Sequence, residues 1–471
     1  MSIDAKTDLH ARLAALVGET NVIATAADMA AYLTEPRDLF HGRAAFVVRP
    51  GSTQEVAAVL RLCFETDTKI VPQGGNTGLV GGQVPGGSGD EIILSLTRMD
   101  ALRDLDLASN TMIVEAGMTL LRAQDIAEQA DRLFPLSLAS EGSCTIGGNL
   151  ATNAGGTAVL AYGNARDLVQ GLEIVLADGR VLNNLSKLKK DNTGYDLKHL
   201  FMGSEGTLGI ITAAVLKLYP RPRSQETAFI GLQNPQRALD LFLLAQGRAG
   251  NDVKTFELVP RIGIDFALKH GAGTREPLPT THDWYVLIEI ASQAEASERM
   301  MGLLEQAFSE GLIENATLAT SLDQRNDFWR LRELMSDVQK LEGGSIKHDV
   351  SVPVARVPDF IKAAGDAIAQ SMPGARPVPF GHLGDGNIHY NISQPVGADK
   401  QAFLARWDEA NTIVHAIVAQ MGGSISAEHG IGVLKRDLLP GVKDAVSLDV
   451  MRAIKLALDP KGILNPGKVL P

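Results

Sequence analysis

Cysteine is nearly absent from this chain. Only Cys63 and Cys144 occur in 471 residues. That excludes a disulfide framework and suits a compartment where thiols stay reduced, so a cytoplasmic location is the expectation. No dense basic block occurs, and the formal net charge is -11, which argues against nucleic acid as a partner. No apolar run approaches the roughly 18 residues that a membrane-spanning helix needs, so an integral membrane protein is not expected. The first residues carry Asp4 and Asp8 and show neither an apolar signal segment nor an Arg-rich transit pattern. Two nucleotide signatures are also missing. There is no phosphate loop ending in Gly-Lys-Ser/Thr, and no Rossmann glycine set followed by an acidic residue, which speaks against a nicotinamide-dependent dehydrogenase.

Glycine, by contrast, is plentiful and clustered, with 47 in the chain. Clusters bring backbone close to a ligand. The length predicts two or three domains. Residues 1–35 read as helical. Ala45–Pro50 reads as a strand, Ser52 or Thr53 caps a helix running to about Glu65, and Lys69–Pro72 is the next strand. Leu168–Leu176 and Arg180–Leu182 read as a hairpin around Asp178-Gly179. Pro220-Arg221-Pro222-Arg223 is the best connector. Beyond it come helical patterns over Ala294–Ser309 and Asp323–Leu341, and strands over Trp284–Ile290, Ile346–Val352 and Ile388–Ile392. Residues 405–420 read as a helix.

Three glycine-rich loops stand out. Pro72-Gln73-Gly74-Gly75-Asn76-Thr77-Gly78-Leu79 follows a strand directly. Gly142 to Gly156 holds Ser143, Gly147, Gly148, Asn149, Thr152 and Asn153. The third is Gly203 to Gly209, with Gly206 and Thr207. Any one of them fits a tight turn. Three over about 130 residues imply one extended ligand such as a dinucleotide, because successive backbone N–H groups converge on phosphate oxygens.

A different chemistry sits in Gly381-His382-Leu383-Gly384-Asp385-Gly386-Asn387-Ile388-His389, followed by Glu428-His429-Gly430. Two imidazoles and one carboxylate suit zinc, manganese or iron and leave a coordination position open. Alternation along the strand puts His389 and Asn391 on one face. Asp385 reads as a turn residue before Gly386, or as a fourth ligand or orienter. His429, beside a liganding Glu428, is placed to take a proton near neutral pH. Arg332 and Ser336 share a helix face, and Lys347 follows Gly343-Gly344. A lysine and an arginine together can pin a carboxylate, the arginine bidentately.

With these three loops the chain resembles the flavoprotein family of vanillyl-alcohol oxidase and p-cresol methylhydroxylase, over roughly residues 40–471. The resemblance implies an FAD, with Pro72–Leu79 as the pyrophosphate loop and the other two loops, together with Ile211 and Asn465, as further flavin contacts. Covalent members of the family attach flavin through histidine or cysteine. Here no histidine lies between His41 and His199, and Cys144 reads as part of a packed turn, so noncovalent FAD is expected.

The metal and carboxylate residues resemble the subfamily of FAD-dependent D-2-hydroxyacid dehydrogenases, above all those acting on D-2-hydroxyglutarate. The resemblance makes His382, His389 and Glu428 ligands of a divalent metal, zinc first and manganese second. His429 becomes the base, and Arg332, Ser336, Lys347 and Asn391 become substrate contacts. It implies oxidation of a C2 hydroxyl to a 2-oxo acid, with D-malate as a second substrate and D-lactate or glycolate as the alternative. A non-catalytic binding protein is the distant alternative. Electron-transfer flavoprotein or quinone is the implied acceptor, and a homodimer is possible within the family.

The expected fold class is α+β. It comprises a two-part FAD-binding domain over 1–220 (N-terminal helices 1–35, core about 40–220), an α+β substrate domain over 221–410, and a C-terminal segment over 411–471. That last segment is expected to complete the active site and pack on the FAD domain.

Overall fold

The computed structural model describes residues 3–471, and its chain divides into two compact units. The first takes residues up to Gly156, Gly163–Arg221 and Glu428–Pro471; the second takes Thr157–Tyr162 and Pro222–Ala427.

The first unit opens with helix α1 (Ile3–Val17) and holds two main sheets, besides a short two-stranded pairing of Arg132–Leu133 with Tyr219–Pro220. The smaller is built from β1 (Val22–Ile23), β2 (Phe46–Val48), β3 (Ile70–Gln73) and β4 (Ile92–Ser95), in the order β1-β2-β4-β3. β2 and β3 both run parallel to β4. Their apolar stretches are buried without alternation, as strands covered on both faces require. Helix α2 (Thr53–Glu65) links β2 to β3. Ser52 accepts the Glu55 N–H and the Glu55 carboxylate accepts the Gly51 N–H, a close variant of the reciprocal cap. The strand–helix–strand expected from the sequence is present, but β4 lies between its two strands.

The larger sheet of this unit is antiparallel. It contains β5 (Leu102–Asp106), β6 (Thr111–Glu115), β7 (Val169–Val175), β8 (Val181–Asn184) and β9 (Ile210–Lys217), ordered β5-β6-β9-β7-β8. Between β6 and β7 lie α3 (Leu120–Gln129) and α4 (Ile146–Thr152). Gly179, at φ 82°, makes the tight turn from β7 to β8. The chain's last segment, with the helix Ala445–Leu458, belongs to this unit. Ile70 N–H donates to Ile463 O at 2.8 Å, and Lys455 Nζ donates to Thr207 O at 2.7 Å.

The second unit is built on one antiparallel sheet. Its strands are β10 (Ser224–Leu232), β11 (Val253–Pro260), β12 (Trp284–Ser292), β13 (Asn315–Leu318), β14 (Ser345–Ile346), β15 (Val350–Ser351), β16 (Arg376–His382) and β17 (Asn387–Ser393). The order is β13-β10-β12-β11-β16-β17-β14, with β15 also on β17. One face packs on the helices Pro235–Ala249, Ala296–Ser309 and Val357–Ser371. The other is covered by the helices Arg261–His270 and Leu322–Val338.

Three details differ from the sequence reading. The helix Trp407–Gln420 stays with the second unit, because Ala410, Val414 and Val418 complete its core; the chain crosses over after Ala427 rather than near 410. The single strand read over Ile346–Val352 is broken between β14 and β15. There the buried His348 donates its Nδ1–H to Tyr390 O at 2.8 Å. Thr157–Tyr162 joins the second unit, with Leu160 against that unit's core.

Candidate active site

In the first unit the glycine loops press on one another. A Cβ at Gly74 would run into Thr145 Oγ1, one at Gly75 into the Ser143 carbonyl oxygen, and one at Gly206 into Pro72. A Cβ at Gly147 would meet Ala116. All three loops therefore converge, as one extended ligand demands. Asn465 adds the C-terminal tail, donating to Gly82 O at 2.9 Å and Glu205 O at 2.8 Å.

Many of the expected contacts also bond within the protein. Gln73 donates to Tyr32 O at 3.0 Å and Gln83 O at 3.1 Å, and Asn76, at φ 55°, donates to Ala31 O and Thr34 O. Thr152 and Thr207 hydroxyls bond backbone carbonyls of their own turns. Asn153, at φ 53°, accepts the Arg166 N–H. Ser143 donates to Ser140 O, Gly78 O accepts from Gln83, and Gly142 faces open space. Gly148 sits beside Thr145, Thr77 and Leu79 continue the first loop, and Ile211 is buried in β9.

Three oxygens in the cradle are buried without a protein partner: Asn76 Oδ1, Thr145 Oγ1 and Asn465 Oδ1. Buried polar atoms are nearly always paired, so these fit a polar ligand. From the sequence Thr145 read only as part of the packed turn Ser143-Cys144-Thr145-Ile146; it stands just before helix α4. Cys144 is buried and near Asn149 Nδ2 at 3.5 Å; burial pushes its thiol up from the ordinary value.

The third loop also steadies the segment after Glu428. The buried Glu205 carboxylate accepts the N–H of Ile431 at 2.6 Å and of Gly432 at 2.8 Å. Burial raises its carboxyl from the usual range, against those two N–H groups and nearby Lys435 and Lys468.

In the second unit, strand pairing gathers chemistry on one sheet face. Glu257 of β11 lies opposite His382 of β16, Phe380 opposite His389 of β17, and Val378 opposite Asn391. Residues directly opposite share a face, as do alternate residues along a strand. That face is the one under the helix Leu322–Val338. The apolar side of this helix, Phe328, Leu331, Met335 and Val338, packs beside Phe380 and Val378. Arg332 sits on the same helix with its guanidinium 4.9 Å from the centre of the Phe380 ring. Phe380 and His389 rings are 5.2 Å apart, and His382 and His389 rings 5.6 Å.

Glu257 is the residue that sequence reasoning missed. Its Oε1 is 2.6 Å from His382 Nδ1, and its Oε2 is 2.7 Å from Arg332 Nε. Burial pushes this carboxyl up, but His382 and Arg332 outweigh it and hold it at about 2. A lone carboxylate in the apolar strand Val253–Pro260 was the available signal, since a buried charge needs a partner.

One ligand atom from each of His382, His389 and Glu428 lies within 4.8 Å of the others. Glu428 and His429 are the first residues past Ala427, whose N–H is held by Asp349 O at 3.3 Å. Asp349, Glu428 and His429 form a second such group; Asp349 was not singled out in the sequence. It accepts from Asn387 Nδ2 at 3.1 Å.

Lys347 Nζ donates to Ser336 O at 2.7 Å, so the lysine and the helix turn carrying Arg332 and Ser336 lie together. Asn391 is buried. Asp385 accepts the Asn387 N–H at 3.0 Å inside the turn to Gly386, and burial lifts its carboxyl to about 6. The donor set of two imidazoles and one carboxylate fits a divalent transition metal.

Comparison with known proteins decides the family. A model described as "FAD binding domain" matches residues 44–184, and one described as "FAD linked oxidases, C-terminal domain" matches residues 221–469. The chain belongs to the FAD-linked oxidases. A mitochondrial D-2-hydroxyglutarate dehydrogenase from Bos taurus is 41% identical over 433 residues, covering 91% of this chain and 77% of the bovine protein. One from Arabidopsis thaliana is 36% identical over 458 residues, covering 97% and 80%. In fold, this FAD-linked oxidase matches p-cresol methylhydroxylase with substrate bound at a TM-score of 0.77, with 16% identity, covering 100% of this chain and 97% of that one.

This FAD-linked oxidase is therefore an FAD-dependent oxidoreductase of D-2-hydroxy acids. It has the α+β architecture of its family, with separate FAD-binding and substrate sheets and a C-terminal helical segment. The expected cytoplasmic location is corrected here. The bovine and Arabidopsis relatives are named mitochondrial enzymes, as are four further relatives. Two unpaired cysteines report a thiol-reducing environment, which more than one compartment provides. Among the described residues no helix is long and apolar enough to cross a membrane.

Proposed function

We propose that this FAD-linked oxidase is a metal-dependent D-2-hydroxyglutarate dehydrogenase with D-malate as a second substrate. The observation that carries this reading is the joint placement of His382, His389 and Glu428 with a buried arginine on the neighbouring helix. When bound, noncovalent FAD supplies the hydride acceptor, and a divalent metal, zinc first, supplies Lewis acidity toward the C2 hydroxyl. His382, His389 and Glu428 hold that metal. His429 takes the hydroxyl proton on its imidazole. Arg332 and Lys347 grip the distal carboxylate, with Ser336 and Asn391 as further polar contacts. A second carboxylate gives this pair of cations a purpose that a monoacid would not. Pro72–Leu79, Gly142, Ser143, Gly147, Gly148, Asn149, Thr152, Asn153, Gly206, Thr207, Ile211 and Asn465 line the flavin. Electrons then leave to an electron-transfer flavoprotein or a quinone.

The test is anaerobic flavin bleaching with D-2-hydroxyglutarate, D-malate, D-lactate and the L-enantiomer of each. Fast bleaching by the D-diacids and slow bleaching by D-lactate is the expected result. D-lactate reacting as fast as D-2-hydroxyglutarate would overturn the diacid assignment. Flavin that stays with acid-precipitated protein would overturn noncovalent binding.

A further inference from the structure

The Glu257 carboxylate joins two groups that the proposed chemistry uses separately. It is fully buried, it lies opposite His382 in the ladder, and each of its oxygens meets a different cationic or donor group. One oxygen faces His382 Nδ1 and the other faces Arg332 Nε. The ring nitrogen facing a carboxylate carries the proton, which leaves Nε2 as the nitrogen with a lone pair. The Nε edge of Arg332 is the edge taken by Glu257, so Nη1 and Nη2 are the groups left to grip a carboxylate. Phe380 fills the space between, under the guanidinium and beside His389.

We infer that Glu257 is the positioning residue of this site: one carboxylate fixes His382 as a metal ligand through Nε2 and, in the same contact, aims Arg332 at the substrate. The inference rests on the metal and carboxylate roles proposed above. It is the arrangement by which a carboxylate behind a liganding histidine sets tautomer and ring orientation, with an added branch to the substrate clamp. The surrounding strand supplies no replacement. Leu258 and Phe256 point to the opposite face, into the other core.

Glu257→Gln is the discriminating variant, because it keeps the shape. His382 and Arg332 each face a different oxygen of Glu257, and an amide puts an NH2 donor in place of one of them, so one of the two contacts loses its acceptor. If its NH2 donates to His382 Nδ1, the ring proton moves to Nε2 and blocks ligation. The experiment measures Zn²⁺ and Mn²⁺ affinity of the holoenzyme by competition with a chromophoric chelator. Flavin content, Tm and the KM and kcat for D-2-hydroxyglutarate and D-lactate are taken on the same samples.

The expected result for Glu257→Gln is metal affinity weaker by about 10- to 100-fold, with flavin content unchanged. At saturating metal, KM for the diacid rises about tenfold or more, the size of one lost charged contact, while KM for D-lactate stays put. A merely structural role would lower Tm without that split. If Glu257→Gln does not fold, Glu257→Asp keeps the charge but shortens the reach, and it is expected to weaken metal binding in the same direction. Wild-type metal affinity in either folded variant overturns the inference. Wild-type protein that takes up no divalent metal overturns the metal reading itself, and the inference with it.

Discussion

A methyl group at Gly75 has no space to occupy. Its Cβ would fall on the Ser143 carbonyl oxygen, with Cys144 Cα at 3.1 Å. Both are backbone, so no flexible side chain can swing away. The backbone of Gly75 is not in the left-handed region, so Gly75→Ala meets no left-handed backbone penalty, and the collision is its main cost. Forcing one extra carbon into a packed contact costs about 1–3 kcal/mol. The loops can relieve it only by separating the first glycine loop from the second. If that separation is charged entirely to cofactor binding, FAD affinity falls by about 5- to 150-fold at 1.4 kcal/mol per decade. The assay is the 450/280 nm absorbance ratio of purified protein, followed by FAD titration of the apoprotein and a thermal melt. Gly87→Ala is the control, because nothing lies within 4 Å of its Cβ and its backbone is also outside the left-handed region. Gly75→Ala with a full flavin complement and the Gly87→Ala melting temperature would show that the two loops need not meet to bind the cofactor.

Other outcomes follow from the same structure. Glu342 accepts from Lys269, Arg376 and His270, and these contacts hold its carboxyl at about 2. A carboxyl depressed in the folded state stabilises above its unfolded pKa of about 4.3, and that contribution disappears as pH falls from there toward the folded value. The urea midpoint of wild-type protein should therefore drop more steeply through that acid window than that of Glu342→Gln. Equal slopes would contradict the assignment. Replacing His429 by alanine should slow anaerobic flavin reduction about 10²- to 10⁴-fold at neutral pH, with flavin content intact. A full rate would remove it as the base.

Much of this was legible in the sequence, for identifiable reasons. The two histidines sit on either side of a turn whose glycines leave no other fold, so the hairpin β16–β17 and the alternation of His389 with Asn391 could be read from local pattern. The three glycine loops were visible because glycine is the residue that close backbone contact demands. What stayed hidden depends on strand order. Glu257 meets His382 only because β11 and β16 are neighbours in a sheet, a pairing across 125 residues that no local period encodes. The break between β14 and β15 was hidden likewise, since it follows from His348 bonding Tyr390 of another strand. The same holds for Thr157–Tyr162, whose membership of the second unit turns on Leu160 finding a place beside Gly384. That the amide nitrogens of Gln73 and Asn76 also tie their loop to the carbonyls of Tyr32, Gln83, Ala31 and Thr34 was hidden too, since those partners are mostly distant in the chain.

Metal dependence of the hydride step is the most direct test of the account. Protein dialysed against EDTA, assayed for metal by mass spectrometry and mixed anaerobically with D-2-hydroxyglutarate, should keep its flavin and bleach slowly. One equivalent of Zn²⁺ or Mn²⁺ should restore fast bleaching in wild-type protein and fail to do so in His389→Ala. Metal-free protein that reduces its flavin at the native rate would contradict the account.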